Sequence, residues 1–520
     1  MPDVSMAAFV AGPALVAYAL PFCVQCSHNE DDVLGAWEGL MQAPDSRRWL
    51  ILVVLCLSTL VLVIDNMVLS VAIPPLTADL GASAQDIQWI LDSYILVFAG
   101  LLLTAGSLSD RFGRRRVMVI GLALFGVASL AAAYAADPVT LIAARTVMGI
   151  GGALIMPSTL SILITVFDEQ ERRKAMAAWS AVAMVGLVGG PVLGGALIAW
   201  FWWGAVFLIN VPIAALAIVA SLVLMPESKG PQTRPDPIGA VLSVAGMSAL
   251  VWTIIELPHG LSVPALAVAV VALAGFVVWE LRTPHPMVPL RLFRNRTFSG
   301  GSFSLTLVQI GNGGLLLVLT QYLQYVLGYT PTESGLAFIP MAVASLACNT
   351  LGATLGARIG NRRLIVTGFA VSATGFALLS TLDASSGVTT AAVSLLLMGA
   401  GGGLAMPAAV SALMGTIPAE HAGVGSALND TIQQAGAALG IAVLGSVLAS
   451  AYTAAMPATA PAAARLSIGS ALGLGDAGIA AAARDAFTTA MSSAFLISAA
   501  GVVAAAVLAL LVMPKKTASI

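Results

Sequence analysis

The chain has 520 residues, 59% of them hydrophobic and 9% charged, with a mean hydropathy of +0.96. A soluble domain carries about 25% charged residues, so a soluble globular enzyme is excluded and a polytopic helical membrane protein is implied. A formal net charge of −2 predicts no nucleic-acid partner. The four cysteines are too few for a disulfide framework. No G-x-x-x-x-G-K-[ST] run, no H-E-x-x-H and no triad spacing is present, so neither an ATP site nor a catalytic or metal centre is expected.

Residues 1–46 read as an N-terminal extension, poorly ordered or with a mis-assigned start. The apolar run 7–23 is short for a span, contains Pro13 and Pro21, and has no Lys or Arg before it. Met41 would open a compact tail ahead of Arg47 and Arg48. Cys23 and Cys26, with His28 nearby, have the spacing of a redox or metal pair but no second ligand pair, and no metal is expected there.

Fourteen apolar segments follow, at roughly 49–73, 86–108, 117–136, 138–166, 175–198, 205–225, 237–257, 262–281, 298–326, 335–357, 362–382, 387–412, 423–449 and 486–512. Of the 23 basic residues, 20 fall in loops that this map assigns to one side, and only Arg145, Arg465 and Arg484 do not. That bias predicts an even number of spans with both termini cytoplasmic.

The first span carries Asp65, the second Asp92 and the fourth Arg145. An ionisable residue inside a span is costly and marks a functional position. At a rise of 1.5 Å per residue the three lie at one depth, about 10 Å below the boundary away from the basic loops. One guanidinium cannot stabilise two carboxylates equally, so one acid stays ionised beside it and the other is poised to take up a proton. Asp65 is the expected carrier, and a fixed ion pair with no cycling proton is the alternative. Between the second and third spans runs Gly106-Ser-Leu-Ser-Asp110-Arg111-Phe-Gly113-Arg114-Arg115-Arg116, a loop so short that its helices must be antiparallel neighbours. Its arginines hold it at the cytoplasmic face, and Asp110 has basic partners within reach. The fifth span contains Gly186, Gly190, Pro191, Gly194 and Gly195, a flat face for a close neighbour with a proline kink. The ninth contributes Gln309, Asn312 and Gln321, and the thirteenth Asn429, Asp430 and Gln434, as candidates to line a substrate cavity. A buried hydrogen-bond partner or an end residue reaching for water is the plainer role for Asp430. Arg358, Gly360, Arg362 and Arg363 repeat the spacing of the first arginine loop, with Ala357 in place of its acid, so the chain contains two related halves.

The 106–116 loop resembles the signature between helices 2 and 3 of the major facilitator superfamily. The fifth-span glycines resemble that superfamily's exporter signature, although Ala177 stands where an earlier glycine is usual. Ile64 to Pro74 resembles the first-helix motif of drug:proton antiporters. Arg145-Thr-Val-Met148-Gly149 resembles R-x-x-Q-G with Met148 replacing the glutamine. The resemblance, over about residues 47–512, is to the fourteen-span drug:proton antiporter family. It implies an all-α polytopic fold with a first six-helix half (47–230), two inserted helices (231–296), a second six-helix half (297–513) and a tail (514–520). It implies proton-coupled export of drugs, antibiotics or related amphipathic molecules from the cytoplasmic membrane by alternating access. No cofactor is implied, because the proton gradient supplies the energy. The expected partners are a small-molecule substrate, protons and the lipid bilayer, and the chain is expected to act as a monomer. A dedicated exporter or facilitator of one metabolite, and a non-transporting receptor or scaffold, are the alternatives.

Overall fold

The computed structural model describes residues 44–230, 235–414 and 422–513. Cys23, Cys26, His28, Arg234, Lys515 and Lys516 lie outside the described residues. One compact unit runs from Val54 to Ile520 and carries everything below; of the other, Met1–Val53, the described part is the opening turns of α1.

The apolar runs form α1 (Pro44–Leu80), α2 (Ala84–Phe112), α3 (Arg114–Ala133), α4 (Pro138–Val166), α5 (Glu169–Trp200) and α6 (Asn210–Leu224). The inserted pair is α7 (Pro237–Glu256) and α8 (Val263–Arg282). The second set is α9 (Arg296–Gln321), α10 (Ile339–Ile359), α11 (Asn361–Leu379), α12 (Val388–Met414), α13 (Ala422–Ala455) and α14 (Ala477–Val512). Thirteen helices among the described residues are long and apolar enough to cross a membrane; in α5 the described apolar stretch is the shorter Gly189–Trp200.

Local chemistry sets the helix ends. Ser83 and Asp86 form a reciprocal capping box at the start of α2. Asp137 caps α4 by accepting the Thr140 backbone N–H and hydroxyl, which hold its carboxyl below the usual range. The chain's outer surface is apolar: Val127 and Val271 are each 71% exposed, the signature of a face solvated by lipid. Lipid offers no hydrophobic drive between helices, so close packing of small residues does that work. A Cβ at Gly121 of α3 would lie 2.8 Å from the Gly151 carbonyl of α4, and one at Gly368 of α11 would lie 2.6 Å from the Gly401 carbonyl of α12.

That parallel extends to other features. Gly113 and Gly360, at the α2–α3 and α10–α11 junctions, both take positive φ, 116° and 86°. Pro157 in α4 and Pro407 in α12 stand equally far from the helix starts Pro138 and Val388. The second half has its own core, in which Phe298, Phe369, Phe376 and Phe495 are fully buried. Helix α7 lies against both halves. Trp252 meets Trp89 of α2 edge to face at 5.9 Å, and the Ile254 carbonyl accepts the Ser446 hydroxyl of α13 at 2.8 Å.

Candidate functional site

Two structures matter: a buried charge centre among α1, α2, α4 and α6, and a clamp at the end that carries the arginine loop, here the basic end.

In the centre, the Arg145 guanidinium pairs through Nη1 with Asp65 Oδ2, and both side chains are about 1% exposed. Arg145 Nε also donates to the Ile90 carbonyl at 3.2 Å. Its guanidinium carbon sits 4.4 Å from the centre of the Tyr94 ring and 6.0 Å from that of Phe207. The other Asp65 oxygen accepts the Asn210 amide at 2.9 Å, and the same amide reaches Ser129 Oγ at 3.3 Å. Both oxygens of Asp65 are therefore occupied. Asn210 is a partner that the sequence reading missed; an asparagine inside the apolar run of α6 was the available signal.

Asp92 does not join this pair. It is fully buried, and neither oxygen has a hydrogen-bond partner. Helix geometry explains why. Ile90 and Tyr94, two residues either side, both hold Arg145, and at 3.6 residues per turn Asp92 faces away from them. It shares a face with Gln88, one turn earlier, and that face meets α13: a Cβ at Gly445 would lie 2.2 Å from Gln88 Nε2.

The α5 glycine face packs on α1 around Asp65. A Cβ at Gly186 would fall 2.9 Å from Val63 Cγ1, one at Gly190 2.4 Å from Met67 Cβ, and one at Gly194 2.8 Å from Val68 and Val71. Gly195 and Pro191, further along, meet the second half. A Cβ at Gly195 would lie 2.5 Å from the Pro331 carbonyl, and one at Gly335 would lie 2.3 Å from the Pro191 carbonyl, in the short helix Pro331–Ala337.

At the basic end, Asp110 Oδ1 accepts Arg114 Nε and Nη2 at 2.9 and 2.8 Å. Arg114 Nη1 donates to the Ser161 carbonyl and Thr165 hydroxyl of α4, at 3.2 and 2.5 Å. Arg115 donates its backbone N–H to Glu227 at 3.1 Å and its side chain to the Met225 carbonyl at 2.8 Å, and Arg116 lies 3.5 Å from Glu227. Backbone bonds Arg114 N to Ser228 O and Gly230 N to Asp110 O complete the clamp. Gly106 sits against Pro157, and Gly113 leaves room for Glu227, whose Oε1 would lie 2.6 Å from a Cβ there. Arg111 is exposed beside the Phe112 ring. Among the described residues these clamp contacts thus join the first half to the segment after α6. Glu227 was not singled out from sequence, because 112 residues separate it from Arg115. Glu227→Gln is expected to free the 225–230 segment and weaken transport several-fold while helix content holds, read by trypsin cleavage at Lys229 and by uptake in liposomes.

Of the cavity candidates, Gln309 and Asn312 face one another at 3.5 Å on α9, and Asn429 donates to Asp430 at 3.2 Å on α13. These helices touch, since a Cβ at Gly436 would lie 2.9 Å from Gln309 Cβ. Gln434 is half-buried on the same helix as Asp430. Gln321 stands apart, in a cleft at the far end with Gln88, Tyr325 and Tyr452. Met148 and Met398 are buried packing residues.

The model of the Major Facilitator Superfamily matches residues 55–441 and, overlapping, 301–519. The chain belongs to this superfamily. It is a multi-pass membrane transporter rather than an enzyme. It is 38% identical to the "Multidrug efflux pump LfrA" of Mycolicibacterium smegmatis over 408 residues, 77% of this chain and 81% of that one. It is 36% identical to the "Methyl viologen resistance protein SmvA" of Salmonella typhimurium, over 77% of this chain and 82% of the relative. It is 34% identical to the "Tetracenomycin C resistance and export protein" of Streptomyces glaucescens, over 77% and 76%. Among solved structures, a bacterial homolog to the human lysosomal transporter Spinster, inward-facing and unoccupied, shares the fold at TM-score 0.66 and 18% identity, covering 89% of this chain and 98% of that one.

Proposed function

We propose that this superfamily member exports drugs, antibiotics or related amphipathic molecules across the cytoplasmic membrane, driven by the proton gradient without a bound cofactor. Both termini lie at the cytoplasmic, basic end. The relatives named for multidrug efflux, methyl viologen resistance and antibiotic export support the cargo class. The observation that carries the coupling is the contrast between two buried acids. Asp65 is held by Arg145 and Asn210, whereas Asp92 has no partner and faces α13 of the other half. An unpaired charge buried there would cost several kcal/mol, so in this conformation Asp92 carries the proton and Asp65 is the ionised partner of Arg145. Rocking of the halves changes what Asp92 faces, which couples proton release to the swing. Asp430, beside Asn429, offers a carboxylate to a cationic cargo at the basic end, with Gln434, Gln309 and Asn312 near it.

The test is uptake of ethidium into liposomes under an imposed pH gradient. Asp92→Asn is expected to lose gradient-driven uptake at least about tenfold while retaining dye binding. Undiminished uptake by that variant, with proton flux intact, would remove Asp92 from the coupling.

A further inference from the structure

A second pair of buried acids lies away from the charge centre, at the basic end of the inserted hairpin. Asp236 caps α7, accepting the Gly239 N–H at 2.8 Å and the Trp279 indole N–H at 2.9 Å on each oxygen. It is 7% exposed. Glu280, in the last turn of α8, is 3% exposed. Its Oε2 accepts the Val288 N–H at 3.0 Å, and its Oε1 has no donor. The place a Cβ would occupy at Gly239 lies 2.7 Å from Glu280 Oε1 and 2.8 Å from Asp236 Oδ2. The two carboxyl groups therefore flank Gly239, whose missing side chain leaves room for both, and of the two oxygens beside it the one on Glu280 has no donor while the one on Asp236 accepts the Trp279 indole.

Two carboxylates so placed out of water cannot both be ionised. The charged and titratable groups that follow Glu280 in the chain are Arg282 on α8 and His285 and Arg291 in the next loop. Arg291 and Glu280 line the same cleft. Among the described residues none of the three forms an ion pair with either acid, and Thr104 of α2, which reaches Met287 in the same loop, is uncharged. Among the described residues no third acid, histidine or cysteine completes a metal site.

We propose that Glu280 keeps a proton where it faces Asp236, and that this proton fastens the α7–α8 hairpin to the loop leading into α9. The fastening has reach. Val288, held by Glu280, packs into the core of the second half, and Met287 beside it accepts the Thr104 hydroxyl of α2 at 3.2 Å. The folded protein thus holds a proton that the unfolded chain releases at neutral pH. The contribution is present at low pH and is lost as pH rises and removes the proton.

The experiment uses the full-length protein in lipid nanodiscs between about pH 6 and about pH 9, with two readouts. Infrared difference spectra should show a protonated-carboxyl band, lost at high pH, that is present in the wild type and in Asp92→Asn and absent from Glu280→Gln. Trypsin cleavage at Arg291 should rise about tenfold with pH relative to Glu280→Gln, whose amide stays neutral at every pH. Gly239→Ala, which wedges a methyl between the oxygens without altering charge, should give fast cleavage throughout. A wild-type band unchanged in Glu280→Gln, or a cleavage profile that this variant leaves as it was, would overturn the proton on Glu280. Dye uptake through Asp92 is read separately, so either conclusion can fail alone.

Discussion

Arg145→Ala is expected to abolish gradient-driven transport and to lower stability by about 3–5 kcal/mol, the cost of leaving a buried charge without its partner. The size follows from what Arg145 holds. It neutralises Asp65, donates to the Ile90 carbonyl and lies over the Tyr94 ring, so its loss affects α1 and α2 together. Asp65→Asn in the same chain removes the stranded charge, and the double variant is expected to recover most of the stability and none of the transport. Denaturation in mixed micelles and uptake in liposomes separate the two. If Arg145→Ala alone kept full stability, the pair would not be the structural centre of the first half.

The second large effect is expected at Gly195. A side chain there meets the backbone of Pro331 and Thr332, at 2.5 Å from the Pro331 carbonyl, and backbone cannot rotate away. Gly195→Val should therefore pry α5 from the Pro331–Ala337 helix and separate the halves at their far end. Spin labels at Ala136 and Ala384, in the α3–α4 and α11–α12 loops, should report a longer distance, and uptake should fall at least about tenfold. Gly190→Ala is a useful contrast, because it presses on Met67 within the first half and should impair uptake without moving those labels.

The spans were legible because long apolar runs have one physical reading in a chain this poor in charge. The neighbours of each span were less so. Helices such as α4 and α6 are apolar on nearly every face, so periodicity points nowhere, and only the glycine stripes hinted at contact. Depth placed Asp65, Asp92 and Arg145 at one level, but naming Asp65 as the carrier left the guanidinium to Asp92, whereas it pairs with Asp65. Asp92 shares that level but faces another way. Depth fixes position along a helix, and the angle around it has to be worked out separately. Asn210 and Glu227 escaped notice for a different reason: each acts on residues more than 100 positions away, and neither sits in a motif.

Helix α7 touches α2 through Trp252 and α13 through the Ile254 carbonyl, so the hairpin covers the seam where those two helices meet. Among the described residues, the corresponding seam on the other side, between α5 and α10, has no inserted helix packed on it. The hairpin therefore braces the two halves against each other along one seam and leaves the other to the direct contact of α5 with the Pro331–Ala337 helix.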